Sequence, residues 1–310
     1  MLKTKQNQRK IFNFVKLILF VGVLAIVYWQ IKNFNAEAWR EFKLARPLSL
    51  IMAGVLVFTN IWLAYLKWKV TLNVVVPGTE PKVATQSFFA GVVTGMLTPN
   101  MVGNFIGRFY YFERERRTSI ILFTLLSNYA QFLASLTFGW VAILITGDLI
   151  VIEGSRSFLI WLGIGVVVAY LSYFFIDNFL FRIRRKGYFV AFRDTLRANR
   201  SYRSKILGLG LARFLVFTLQ FSLVLDAFGE SISLTSIMAI WQVYLLTMLI
   251  PSLFLGKIGV RESIAIFVLS GIGMNEFAVL FASLIIWAIN SLSPALVGFV
   301  ICKNRIANAE

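Results

Sequence analysis

The chain has 310 residues, 58% of them hydrophobic, which leaves too little polar surface to cover one soluble core. It carries 31 Lys+Arg against 14 Asp+Glu, lacks histidine and has one cysteine, Cys302. That argues against His/Cys metal sites, histidine base catalysis and an internal disulfide. The net charge of +17 sits mostly in alternate loops, which points to membrane topology rather than to nucleic acid.

The first apolar run, 11–31, follows a basic start and is read as a retained anchor, since no small-x-small cleavage pattern with a polar mature start follows it. Lys3, Lys5, Arg9, Lys10 and Lys16 then place the N-terminus inside, and 32–47 becomes an outside loop, uncomfortably basic for that side. A second span, 48–66, returns the chain to the inside at Lys67, Lys69 and Lys82. The stretch 84–112 comes next. If it crosses once, Arg114, Arg116 and Arg117 lie outside and every later loop inverts; if it is a hairpin opening from the inside, they stay in. Pro99, Asn100, Gly103, Asn104 and Gly107 favour a break, because proline removes a backbone donor and disfavours helical geometry before it. A proline-kinked single helix is the alternative.

Span 119–147 then leads to an outside loop, 147–157, with Asp148 and Glu153 against Arg156 alone. After span 158–181, the loop 182–205 carries nine basic residues from Arg182 to Lys205 and reads as cytoplasmic; Tyr188, Phe189, Val190, Phe192 and Leu196 interleave it, as in a short amphipathic helix on anionic headgroups. Span 206–225 ends in an outside loop with Asp226 and Glu230. A second ambiguous stretch, 236–272, precedes the last span, 277–300, and an inside tail with Lys303 and Arg305. The expected fold is an all-α polytopic membrane protein, a single domain over 1–310. It has about six full transmembrane helices of roughly 20 residues each and two inversely oriented re-entrant or broken hairpins. Its location is the inner (cytoplasmic) membrane, with both termini cytoplasmic.

The two ambiguous stretches resemble each other. One reads Met96-Leu97-Thr98-Pro99, with Gly103, Gly107 and Arg108 following; the other reads Met248-Leu249-Ile250-Pro251, with Gly256, Gly259 and Arg261 following. Paired interrupted segments in the two halves of a membrane protein point to a transporter's binding site. Two unrelated proline breaks are the simpler alternative.

An ionisable group inside the bilayer is costly enough to suggest function unless it snorkels to the interface. Arg261 is the candidate phosphate ligand, supported by backbone donors around Gly256, Lys257 and Gly259, with Glu262 orienting it or exchanging protons. Arg108 is the corresponding base of the first stretch, with interfacial anchoring as the competing reading. Asn128, Gln131 and Ser135 share one helical face, as do Arg213 and Gln220; interhelical hydrogen bonding explains them equally well. Asn60 and Asn290 read as packing residues.

The segment Pro251 to Ser263, with its two glycines and Arg261-Glu262, resembles the signature of the lysylphosphatidylglycerol synthase transmembrane family, and the first motif and the spread of apolar segments fit the same family. The family's glycine-rich turn after the proline is replaced here by Ser252-Leu253-Phe254-Leu255. The resemblance implies a flippase-like protein that moves a phospholipid or lipid-phosphate-linked group between leaflets, with anionic or phosphate-bearing lipids as partners and no cofactor. In bifunctional members aminoacyl transfer belongs to a separate soluble domain, for which this chain has no room, so no enzymatic activity is expected. An intramembrane lipid-modifying enzyme and a non-transporting envelope assembly factor are the competing functions.

Overall fold

The computed structural model describes residues 42–98, 103–147, 156–183, 187–250 and 259–308. Every regular element among them is helical: α1 (Pro47–Val75), α2 (Pro81–Met96), α3 (Gly103–Phe109), α4 (Arg114–Thr146), α5 (Arg156–Ile183), α6 (Gly187–Ala198), α7 (Tyr202–Ala227), α8 (Leu234–Leu249), α9 (Val260–Ser270), α10 (Glu276–Trp287) and α11 (Ser293–Asn308), with a π-helical turn, Ala288–Leu292, joining the last two. Five stretches are long and apolar enough to cross a membrane: α1, α4, Leu159–Ile176 of α5, α7, and Glu276–Cys302 across the π-turn. They answer to five of the six expected spans, and the chain is a multi-pass membrane protein. The sixth, 11–31, lies outside the described residues. Phe58, Trp161, Val167 and Phe175 stay exposed, as lipid-facing side chains do.

Helices α1 and α7 form an antiparallel central pair. Gln220 Nε2 donates to the Ala53 carbonyl (3.1 Å) and Arg213 Nε to Asn60 Oδ1 (2.7 Å), while Arg46 pairs with Asp226 at one end. The opposite end is fixed by Tyr202, whose hydroxyl meets Thr71 Oγ1 at 3.0 Å and the Phe123 carbonyl at 3.4 Å.

The stretch 84–112 becomes two antiparallel helices, α2 and α3. Gly91 and Gly95 lie against Asn104 and Arg108, and Gly103 and Gly107 against Thr94 and Ala90, so closely that a Cβ on Gly103 would stand 2.2 Å from the Thr94 carbonyl oxygen, and one on Gly107 2.3 Å from that of Ala90. Small residues four apart on both helices are what lets two backbones approach this far. Thr94 Oγ1 donates to the Gly103 carbonyl (2.6 Å), and the Gly103 N–H to Thr98 Oγ1 (2.6 Å), which occupies polar groups at the break. The chain then returns: Phe112 packs on Trp68, whose indole N–H donates to the Ala84 carbonyl and Ser87 Oγ. The stretch 236–272 likewise becomes α8 and α9, packed on each other. It returns at the other end of the α1–α7 pair, where the Asn275 N–H donates to Glu230 Oε1 at 3.0 Å.

Each hairpin leans on a long helix of the other half. Against α2 lies α11, with Gly298 beside Phe89 and Val93; against α4 lies α8, with Leu245 filling the notch at Gly139. Helices α5 and α6 flank α4. The amphipathic helix expected in 182–205 is α6, yet its apolar side faces protein: Phe192 and Leu196 are buried, the former 4.9 Å from the Phe123 ring. That leaves the basic residues of 182–205 as a topology signal, the simpler of the two readings the loop allows.

Candidate functional site

Gly259 caps α9 with φ +84°, a conformation that suits a residue without Cβ. Three residues on, Glu262 turns back and accepts from the Gly259 N–H at 2.6 Å through Oε2. Its Oε1 accepts from Arg261 (2.7 Å) and from Ser283 Oγ (3.0 Å) of α10. Arg261 in turn donates through Nε to Ser283 Oγ (2.9 Å) and through a terminal nitrogen to the Ser283 carbonyl (2.7 Å). Glu262 is fully buried and Arg261 is 12% exposed. A buried carboxylate with both oxygens occupied acts as an anchor: it neutralises Arg261 and fixes its guanidinium plane against α10.

Arg108, the counterpart at the end of α3, is also buried but is held differently. Its guanidinium lies 4.5 Å from the centre of the Trp68 ring and 5.9 Å from that of Phe88, and its Nε has no hydrogen-bond partner among the described residues. A snorkelling anchor would reach an interface; this side chain is covered by aromatic rings.

Lys67 corrects the sequence reading. It was expected in an inside loop after a span ending at 66, whereas α1 continues to Val75 and Lys67 is 5% exposed. Its ammonium donates to the Ser127 carbonyl of α4 at 3.0 Å and lies within electrostatic reach of Arg108 and Arg213.

Arg213 heads a polar ladder between the central helices. Its Nε donates to Asn60, which also meets Asn290; Asn290 donates to Gln220 Oε1 (3.0 Å), and Gln220 to the Ala53 carbonyl. Asn290 sits in the π-turn, and such bulges re-aim side chains at functional sites. Asn60 and Asn290 thus hydrogen-bond across helices, in keeping with their reading as structural residues. The pattern is periodic: Arg213 follows Asn60 by 153 residues, Gln220 follows Lys67 by 153, and Arg261 follows Arg108 by 153.

The remaining sequence candidates divide. Gly103 is a close-packing position between α2 and α3. Gln131 donates to the Gly210 carbonyl at 3.3 Å, while Asn128, expected on the same lining face, is exposed on the outer side of α4. Asn128 and Gln131 are therefore not brought together. Pro99, Asn100, Pro251, Gly256 and Lys257 lie outside the described residues. Among the described residues no group of three or more His, Cys, Asp or Glu side chains is placed to hold a metal ion.

No curated protein and no solved structure matches the chain. A family model does, over residues 13–298, and its description is the lysylphosphatidylglycerol synthase TM region. With nearly the whole length matched, by a model of the membrane part of a synthase, the chain belongs to the flippase-like lysylphosphatidylglycerol synthase transmembrane family.

Proposed function

We propose that this protein is a flippase-like transporter of the inner (cytoplasmic) membrane that carries a phospholipid or a lipid-phosphate-linked group from one leaflet to the other. The observation that carries this reading is the relation of the two hairpins to the α1–α7 pair. Phe112 rejoins the end marked by Tyr202, and Asn275 rejoins the end marked by Asp226. Read in a bilayer, α2–α3 and α8–α9 are re-entrant elements opening to opposite faces, as an inverted repeat would be. Interrupted helices inside a bilayer are tolerated where protein or a watery path satisfies the freed backbone groups. A charged headgroup would follow that polar path while its acyl chains stay in lipid.

In this reading Arg261 meets the anionic headgroup and Glu262 holds Arg261 in place. Loop charge supports a cytoplasmic position for both termini. No nucleic-acid role is needed to account for the basic surplus.

The test is movement of isotopically or fluorescently labelled phospholipids and polyprenyl phosphates between leaflets of proteoliposomes, with and without a proton gradient. Headgroup-dependent movement lost in Arg261→Ala or Glu262→Gln, at folding yields matching wild type, supports transport through the second hairpin. No movement of any lipid overturns the reading. Movement unchanged in both variants keeps transport and removes the site.

A further inference from the structure

We propose that Lys67 of α1, Arg108 of α3 and Arg213 of α7 form a second anion site for a phosphate group carrying at least two negative charges, as a phosphate monoester or a diphosphate does. The assignment of that phosphate to a lipid rests on the transporter reading; the site itself does not.

The argument starts from the 153-residue correspondence between Arg108 and Arg261. Arg261 is followed by Glu262, which neutralises it at 2.7 Å. Arg108 is followed by Phe109, so the first half lacks that carboxylate. None of Lys67, Arg108 and Arg213 pairs with a carboxylate among the described residues, and they lie within electrostatic reach of one another. Lys67 and Arg108 are 5% and 7% exposed.

Their donors are under-used. Arg108 has only ring contacts, with its buried Nε unpartnered. Lys67 directs one hydrogen bond to Ser127 although an ammonium has three donors, and Arg213 has Asn60 on Nε alone. Lys67 and Arg108 are buried and Arg213 is half-buried, and three such cations without a counterion among the described residues are held together at a cost that a bound anion offsets. A phosphodiester, with one charge, leaves the group strongly positive; a monoester or diphosphate comes close to balancing it. Rings beneath Arg108 hold its guanidinium in place and leave its N–H edges free for phosphate oxygens.

The experiment is a thermal-shift titration of the full chain in phosphatidylcholine nanodiscs. Three probes are compared: phosphatidic acid, phosphatidylglycerol and inorganic pyrophosphate. Wild type is set beside Lys67→Met and Arg108→Gln. Phosphatidic acid is expected to stabilise wild type more than phosphatidylglycerol does, and both variants to bind it at least tenfold more weakly. Lys67→Met should unfold no earlier than wild type when no ligand is present, because it removes a like charge, which separates lost binding from lost folding. A pyrophosphate shift that the variants lose supports the site with a free phosphate as its source; a shift confined to phosphatidic acid supports the lipid source. Equal shifts in all three proteins, or none with any probe, overturn the proposal. Lipid movement that persists in proteoliposomes while the shifts are equal leaves transport standing, whereas variant-sensitive binding without movement in wild type keeps the site and removes transport.

Discussion

Arg108 lies 4.5 Å from the centre of the Trp68 ring, which also fastens α2 through its indole N–H. One side chain therefore supports the first hairpin and holds its cation. Replacing Trp68 with alanine should destabilise the protein by about 3–5 kcal/mol, the range for truncating a large buried aromatic. Trp68→Phe keeps a ring under Arg108 and loses the indole hydrogen bonds, while Ser87 Oγ still donates to the Ala84 carbonyl at 3.0 Å, so it should cost only about 0.5–1.5 kcal/mol. Unfolding in graded denaturing detergent would rank the two.

Gly103→Ala and Gly107→Ala push a methyl into backbone atoms 2.2 and 2.3 Å away. Backbone cannot swing aside as a flexible side chain does, so each should cost about 1–3 kcal/mol or more, as overpacking does. Gly54→Ala meets nothing within 4 Å and serves as the control, with a change inside about 0.5 kcal/mol.

Glu262→Gln leaves Arg261 buried beside a neutral partner, and should destabilise by about 3–5 kcal/mol. Removing both charges in Arg261→Gln/Glu262→Gln should recover part of that loss, so a double-mutant cycle will be strongly non-additive. Additive losses would show that the 2.7 Å pair is not coupled.

The Arg46–Asp226 pair offers a contrast, since the Arg46 side chain is 56% exposed. Asp226→Asn should cost under about 1 kcal/mol and less still in high salt, because exposed pairs are screened. Measuring unfolding at two ionic strengths checks this.

Orientation is open to cysteine labelling after Cys302→Ser removes the single native thiol. Lys82→Cys, at the start of α2, and Ser231→Cys, before α8, are both exposed positions. A membrane-impermeant maleimide applied to intact spheroplasts should label Ser231→Cys and spare Lys82→Cys. Labelling of both, or neither, from that side would contradict opposed hairpins.

The long apolar runs made α4, α5 and α7 legible, and Pro99 marked the first break. Lys67 was misread because a charge at the end of an apolar run looks like a loop. Only the Ser127 carbonyl, brought in by α4, explains how it stays inside. Asn60 and Asn290 seemed isolated because their contact spans 230 residues, which no local pattern reveals. Asn128 shares a helical face with Gln131 on paper, but that face is wide enough for one to meet α7 and the other to turn outward. The Arg261–Glu262 partnership was visible as adjacent letters, while Ser283, which accepts from the arginine and donates to the carboxylate, was not.

The exchange of supports between halves bears on how the chain is made. Helix α2 emerges from the ribosome early, yet the surface that covers it, at Gly298, belongs to the last helix. The first hairpin must wait, partly unsupported, until nearly all of the protein has been inserted. Helix α4 likewise keeps its notch at Gly139 empty until Leu245 arrives. Such long-range closure slows assembly. Chains halted before α11 should therefore be recognised by membrane proteases through an uncovered α2, and the two halves should assemble only when produced together.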